Sequence, residues 1–223
     1  MAEKVQLHDF VEVDYTGKLT DGLVFDTTIE KVAKEHNLRA SKHKYSPAAV
    51  CIGERQVLPG LDAQLADKEI GKEYMVTLSP EIAFGKRDIK KIKIIPLNNF
   101  QKNNLNPQPG LQVDIDGEMG FITSVSGGRV VVNFNHPLAG KEVIYTFTVR
   151  RKVTDQKEKV QAFLSAMFRI PAEHLKVEIK ENAATVVMPG DLPAQISTIL
   201  AKKLIELTGL KDILFKKKEP VKK

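Results

Sequence analysis

The chain has 223 residues, 42% of them apolar and 28% charged, with a net charge of +6 and an isoelectric point near 9.2. That balance describes a globular protein of one large domain or two to three small ones and excludes a largely disordered chain. No run approaches the roughly 18 apolar residues of a membrane span, and MAEKVQLHDF holds no apolar stretch of signal-peptide length, so a cytoplasmic protein without membrane association is expected.

Phe10, Val11, Val13 and Tyr15 stand among acids in the short alternation of a half-buried strand. YTGKLTDGLVFDTT then reads as strand, turn and strand, reversing at Asp21-Gly22. Residues 29–46 switch to a charged pattern in which Ile29, Val32, Ala33 and His36 share one face of a short helix on a surface excursion. A strand follows at residues 48–52; it carries Cys51, the single cysteine, between apolar neighbours. No internal disulfide can form, and a buried, inert thiol is expected.

VLPGL, residues 57–61, begins a helix of about two or three turns. Pro59 suits the first turn, where its missing N–H has no intrahelical partner. Leu58, Leu61 and Leu65 recur at helical spacing while Asp62, Gln64 and Asp67 fall elsewhere, which is also the pattern of a plain core plug. Residues 73–78 (EYMVTL) alternate as a strand, and SPEIAFG makes a turn with an apolar core of its own.

From residue 86 the character changes. Lys86, Arg87, Lys90, Lys91 and Lys93 face one acid, Asp88, in a basic lead, and the polar loop KNNLNPQPG and three short strands, LQVDID, GFITSV and RVVVNF, follow. The basic patch attracts anions non-specifically but lacks the interleaved aromatics of a single-strand binder, which disfavours nucleic acid. VIYTFTVRRK, residues 143–152, reads as a closing strand of the first region. Residues 86–135 are therefore an insertion at a loop tip, where insertions are tolerated. Beyond Val153 the pattern is helix, hairpin around Glu181-Asn182, helix ended by Gly209, and strand: a third, α+β domain. The five histidines, His8, His36, His43, His136 and His174, show no HExxH or paired spacing, so neither metal nor cofactor is expected.

YTGKLTDGLVFDTT, GERQVLPGLDAQL and SPEIAFG together resemble the FKBP family of peptidyl-prolyl isomerases, in that order, and NHPLAGKEVIYTFTV resembles its SlyD-like branch. The resemblance spans residues 1–85 and 136–152; the third domain looks like an extension of archaeal long-type members. It implies an α+β fold in which an antiparallel sheet wraps a short helix, a discontinuous isomerase domain (1–85 with 136–152), a small inserted β domain in the flap (86–135), and a C-terminal α+β domain (153–223). The pocket residues it implies are Tyr15, Phe25, Asp26, Val57, Leu58, Leu61, Phe84 and Tyr145, with Leu138 and Ala139 at the substrate edge. The Leu58 amide would bond an extended substrate, and Tyr15 is the candidate partner of Asp26. Asp26 also reads as a turn residue after the second strand.

The activity implied is cis-trans isomerisation of X-Pro bonds in unfolded or nascent polypeptides, with chaperone activity from the insertion. There Val113, Ile115, Phe121, Ile122, Val130, Val132 and Phe134 mostly form a thin core but cannot all be buried. Leu61 stands where many members carry tryptophan and Phe84 where tyrosine is frequent, which puts macrolide binding in doubt. The tail KKKEPVKK lacks the histidines of the nickel-binding SlyD tails. A non-catalytic peptide-binding chaperone, docked at ribosome or RNA through basic segments, is the alternative. The C-terminal domain offers a sheet edge and amphipathic helices for a homodimer.

Overall fold

A computed structural model of the protein describes residues 3–38 and 45–217. His43 and the tail from residue 218 lie outside the described residues. The chain divides into two compact units, Met1–Leu78 with Val143–Lys223, and Ser79–Glu142. In chain order the elements are β1 (Phe10–Leu19), β2 (Val24–Thr27), α1 (Glu30–Glu35), β3 (Ala48–Cys51), α2 (Pro59–Leu65) and β4 (Glu73–Leu78). Then come β5 (Ile92–Pro96), α3 (Leu97–Lys102), β6 (Gln112–Ile115), β7 (Glu118–Ser126) and β8 (Arg129–Asn133). The chain closes with β9 (Val143–Lys152), α4 (Gln156–Phe168), β10 (Lys176–Lys180), β11 (Ala183–Met188), α5 (Ala194–Thr208) and β12 (Asp212–Lys217).

In the first unit β1 is long enough to serve two partners along one edge. Its start, from Phe10 to Val13, pairs with β3, and Thr16 to Lys18 pair with β2, while β9 lines its other edge and carries β4 beyond. All these pairs are antiparallel, and burial alternates along β9: Val143, Tyr145, Phe147 and Val149 point into the core while Ile144, Thr146 and Thr148 are half-buried. That is the pattern of a sheet with one covered face. α2 lies against β4 and seats Leu61 and Leu65, 1% and 0% exposed. Its seven residues make about two turns.

The C-terminal segment contributes α4, α5 and the sheet β10-β11-β12, in which β12 runs parallel to β11. The hairpin turns through Glu181 and Asn182, both at positive φ, as a tight reversal between twisted strands requires. Asp155 caps α4 by accepting from the Glu158 amide at 2.8 Å, and Gly209 ends α5 in the left-handed conformation. The core here joins α4 and α5 to Phe10 of β1 and Cys51 of β3. Cys51 is fully buried, and burial pushes its thiol up to about 12.

The second unit is a four-stranded antiparallel sheet, β5-β8-β7-β6, over a core of Phe100, Val113, Ile122, Val130, Val132 and Phe134. The sequence reading missed two elements here: β5 overlaps the end of the basic lead, and α3 runs up to the polar loop, whose residues 103–110 form neither helix nor strand. Lys93 inside β5 and Pro96 at its end disguised the strand, and both are devices that keep an edge strand from pairing further. Ile115 and Phe121 are half-buried. Cross-strand register puts Phe121 with Ile92, Ile94 and Val131 on the face opposite the core residues Val130 and Val132, so Phe121 is not a core residue. SPEIAFG also differs from expectation: it is a 3-10 turn at Pro80–Ile82 with no buried residue, and Ile82 is 44% exposed. Among the described residues no helix is long and apolar enough to cross a membrane.

Candidate active site

Gly17 lies opposite Asp26 on β2 and opposite Tyr145 on β9. Lys18 pairs with Val24 and Gly17 with Asp26, which leaves Phe25 as the extra residue of a β-bulge, a device that re-aims side chains. The Phe25 ring meets Tyr145 edge-on at 5.9 Å and 78°, and the Tyr15 ring leans on Tyr145 at 5.8 Å and 58°. These are favourable geometries for aromatic quadrupoles. A Cβ at Gly17 would stand 2.8 Å from Tyr145 Cζ and 2.9 Å from Phe25 Cζ, so the cluster exists because position 17 has no side chain. Sequence reasoning passed over Gly17; a lone glycine inside a strand was the available signal.

Asp26 is half-buried beside these rings and accepts a hydrogen bond from the Tyr15 hydroxyl. Burial pushes its carboxyl above the usual range, partly offset by the bonds from the Thr27 amide and from Tyr15. Burial, then the Asp26 charge, pushes both the Tyr15 and the Tyr145 hydroxyls well above the usual phenol value. Both phenols therefore stay neutral donors at any physiological pH. Thr27 and Thr28 hold the end of β2 in place: Thr27 Oγ1 donates to the Tyr15 carbonyl at 3.0 Å, and Thr28 Oγ1 accepts from the Tyr15 amide at 2.9 Å.

Leu61 is buried, while Val57 and Leu58 are half-buried at the head of α2. The Leu58 carbonyl accepts from the Asp62 amide at 2.9 Å, and among the described residues its own amide has no hydrogen-bond acceptor. Asp62, expected on the polar side of the helix, is only 4% exposed. Its two carboxylate oxygens accept from the Gly53 and Arg55 amides, each at 2.9 Å. A carboxylate can be buried when backbone N–H groups surround it. Helical spacing could not show this, because the donors come from the loop before the helix.

Phe84, Leu138 and Ala139 belong to the second unit. Phe84 stacks on the His136 ring at 4.7 Å, 5° from parallel. The Gly140 amide donates to the Gly85 carbonyl at 2.8 Å, which ties the turn carrying Phe84 to the loop carrying Leu138 and Ala139. Asn135 fixes the same corner, accepting from the Asp88 amide at 2.8 Å and donating to the Asp88 carbonyl at 2.9 Å. Thus Tyr15, Phe25, Asp26 and Tyr145 meet on one sheet with Leu61 buried in the same unit, and Phe84, Leu138 and Ala139 gather in the other.

The ring cluster contains no nucleophile and no free base; its chemistry is apolar contact around neutral hydroxyl donors. Among the described residues no group of three or more His, Cys, Asp or Glu could hold a metal ion.

A family model described as FKBP-type peptidyl-prolyl cis-trans isomerase matches residues 1–101, and one described as the IF domain of FKBP26 matches residues 93–138. The chain is 35% identical over 150 residues to a short-type peptidyl-prolyl cis-trans isomerase of Methanocaldococcus jannaschii, covering 67% of this chain and 95% of that protein. It is 30% identical over 154 residues to the FKBP-type 16 kDa isomerase of Escherichia coli, covering 67% and 94%. Against the SlyD isomerase of Vibrio cholerae it is 26% identical over 151 residues, covering 66% and 67%. The chain, with its two-tyrosine sheet cluster and short proline-started helix, belongs to the FKBP-type peptidyl-prolyl cis-trans isomerase family.

Proposed function

We propose that this isomerase acts on X-Pro bonds of unfolded or nascent polypeptides, at a site formed by Tyr15, Phe25, Asp26, Val57, Leu58, Leu61 and Tyr145. An X-Pro bond rotates through a state that has lost amide resonance, over a barrier of about 18 to 20 kcal/mol. The planar ground state is the more polar, so an aromatic, water-poor surface disfavours it relative to the twisted state. Lowering the barrier by about 4 kcal/mol gives roughly a thousandfold acceleration. The Leu58 amide is a spare donor for an extended substrate backbone. The observation that carries this reading is the ring cluster over Gly17, which a glycine and a bulge bring together on one sheet.

The second unit, read as an insert-in-flap chaperone of the archaeal long-type branch, holds unfolded chains and raises their concentration near the isomerase to which it is tethered. Supporting it are the match of residues 93–138 and an apolar sheet face on which Ile94 is 62% exposed. The lysines nearby are partly neutralised, Lys86 by Glu81 and Lys93 by Glu118, which favours a solvated face over a nucleic-acid site. Ile196 and Ile199 on α5 and Leu214 on β12 are exposed and suit a homodimer. The buried thiol is consistent with the reducing cytoplasm.

The test is refolding of a protein limited by proline isomerisation: the slow phase speeds up with micromolar enzyme, and Tyr145→Ala removes the acceleration. No acceleration of that phase by the wild-type protein would overturn the reading.

A further inference from the structure

We infer that the C-terminal element positions the substrate-contacting residues Val57 and Leu58, through Gln56 bound to α4 and a Glu54–Lys203 ion pair to α5. This rests on the reading of Val57 and Leu58 as part of the site.

The stretch from Ile52 to Leu58 joins β3 to α2 without regular structure of its own. Gly53 and Arg55 both have positive φ, 90° and 54°. For Arg55 that conformation is costly and persists only where the surroundings impose it. Asp62 supplies part of the restraint through the Gly53 and Arg55 amides. The rest comes from residues 156–208, which contribute no ring to the aromatic cluster. Gln56, immediately before Val57, accepts from the Cys51 amide at 2.8 Å and donates its Nε2 to the Phe163 carbonyl of α4 at 3.4 Å. Glu54, its side chain only 13% exposed, meets Lys203 of α5 at 2.8 Å, with His8 at 3.8 Å. A carboxylate this shielded loses more on removal of its cation than an open surface pair does.

The start of the same stretch is clamped as well. Cys51 shares a buried cluster with Phe163 and Leu204, so α4 and α5 hold the end of β3 by packing and the loop beyond it by polar ties. Both routes converge on the two residues that open α2. Releasing the polar ties leaves the ring cluster intact but lets Val57 and Leu58 move, which weakens substrate binding more than the chemical step.

The test compares full-length Lys203→Met, Gln56→Leu, Lys203→Arg and Leu58→Ala with wild type in a protease-free isomerase assay on a proline tetrapeptide. Thermal melts and the amide NMR signals of Val57 and Leu58 are recorded alongside. Lys203→Met and Gln56→Leu are expected to raise KM about three- to tenfold with kcat within about twofold, and to shift both amide signals. Lys203→Arg keeps the wild-type KM. An unchanged KM in Lys203→Met and Gln56→Leu, with Leu58→Ala impaired, overturns the positioning role and leaves the site reading in place. An unimpaired Leu58→Ala overturns the site reading and this inference with it. Equal losses in Lys203→Met and Lys203→Arg, tracking a lowered melting temperature, mark a merely structural contact and also overturn it.

Discussion

The Tyr15 hydroxyl donates a hydrogen bond to the Asp26 carboxyl across the β1–β2 pair, and burial pushes both groups toward their neutral forms. The folded chain thus holds these protons more tightly than the unfolded chain does. For a raised pKa the associated stability is present below the ordinary value and is lost as pH rises through the folded one. For Tyr15 and Tyr145 that loss begins above the ordinary value of 10.0. Urea unfolding is expected to show stability falling between about pH 10 and pH 12, with a shallower fall in Tyr145→Phe. Asp26→Asn removes a carboxylate whose charged form burial disfavours and is expected to raise stability at pH 7, with the gain shrinking as pH falls toward the ordinary carboxylate value.

Gly17 has no room for a side chain unless a neighbouring ring moves. Alanine there would place a methyl 2.8 Å from Tyr145 Cζ and 2.9 Å from Phe25 Cζ, so at least one of the two rings has to shift. Gly17→Ala is expected to cost about 1 to 3 kcal/mol in urea unfolding and to lower kcat/KM by more than the stability loss explains.

Removing the Asp62 carboxylate strands two amides. Asp62→Ala leaves the Gly53 and Arg55 N–H groups without their acceptors and is expected to destabilise by about 2 to 3 kcal/mol. Asp62→Asn, with one acceptor oxygen, is expected to lose about half as much, as read from denaturation midpoints.

Cys51 is shielded from solvent, with its thiol pushed up to about 12. It is expected to react with a thiol reagent at pH 8 only at the rate of unfolding. Fast labelling of the native protein would contradict the packing of β3 on α4.

On the proposed chaperone reading, the exposed apolar residues of the second unit's sheet give a separable phenotype. Ile94→Ser with Met119→Ser, both at exposed positions, is expected to weaken suppression of aggregation at least about threefold while tetrapeptide isomerisation is unchanged. Light scattering and the peptide assay, run side by side, check this.

Local sequence determined much of this protein. The ten-residue alternation of β9, the proline-started helix α2 and the hairpin at Glu181 and Asn182 were legible because strand period, helix caps and left-handed turns are short-range physics. The family followed from Phe25-Asp26, VLPGL and SPEIAFG occurring in that order. Only the tertiary structure decided that Asp62 is buried, that Gly17 makes room for two rings, that Phe121 faces away from the core, and that Glu54 and Gln56 reach α5 and α4. Each depends on partners brought from elsewhere in the chain. A carboxylate's surroundings, a missing Cβ's neighbours and a strand's covered face are fixed by pairing and packing, and residue spacing carries no record of them.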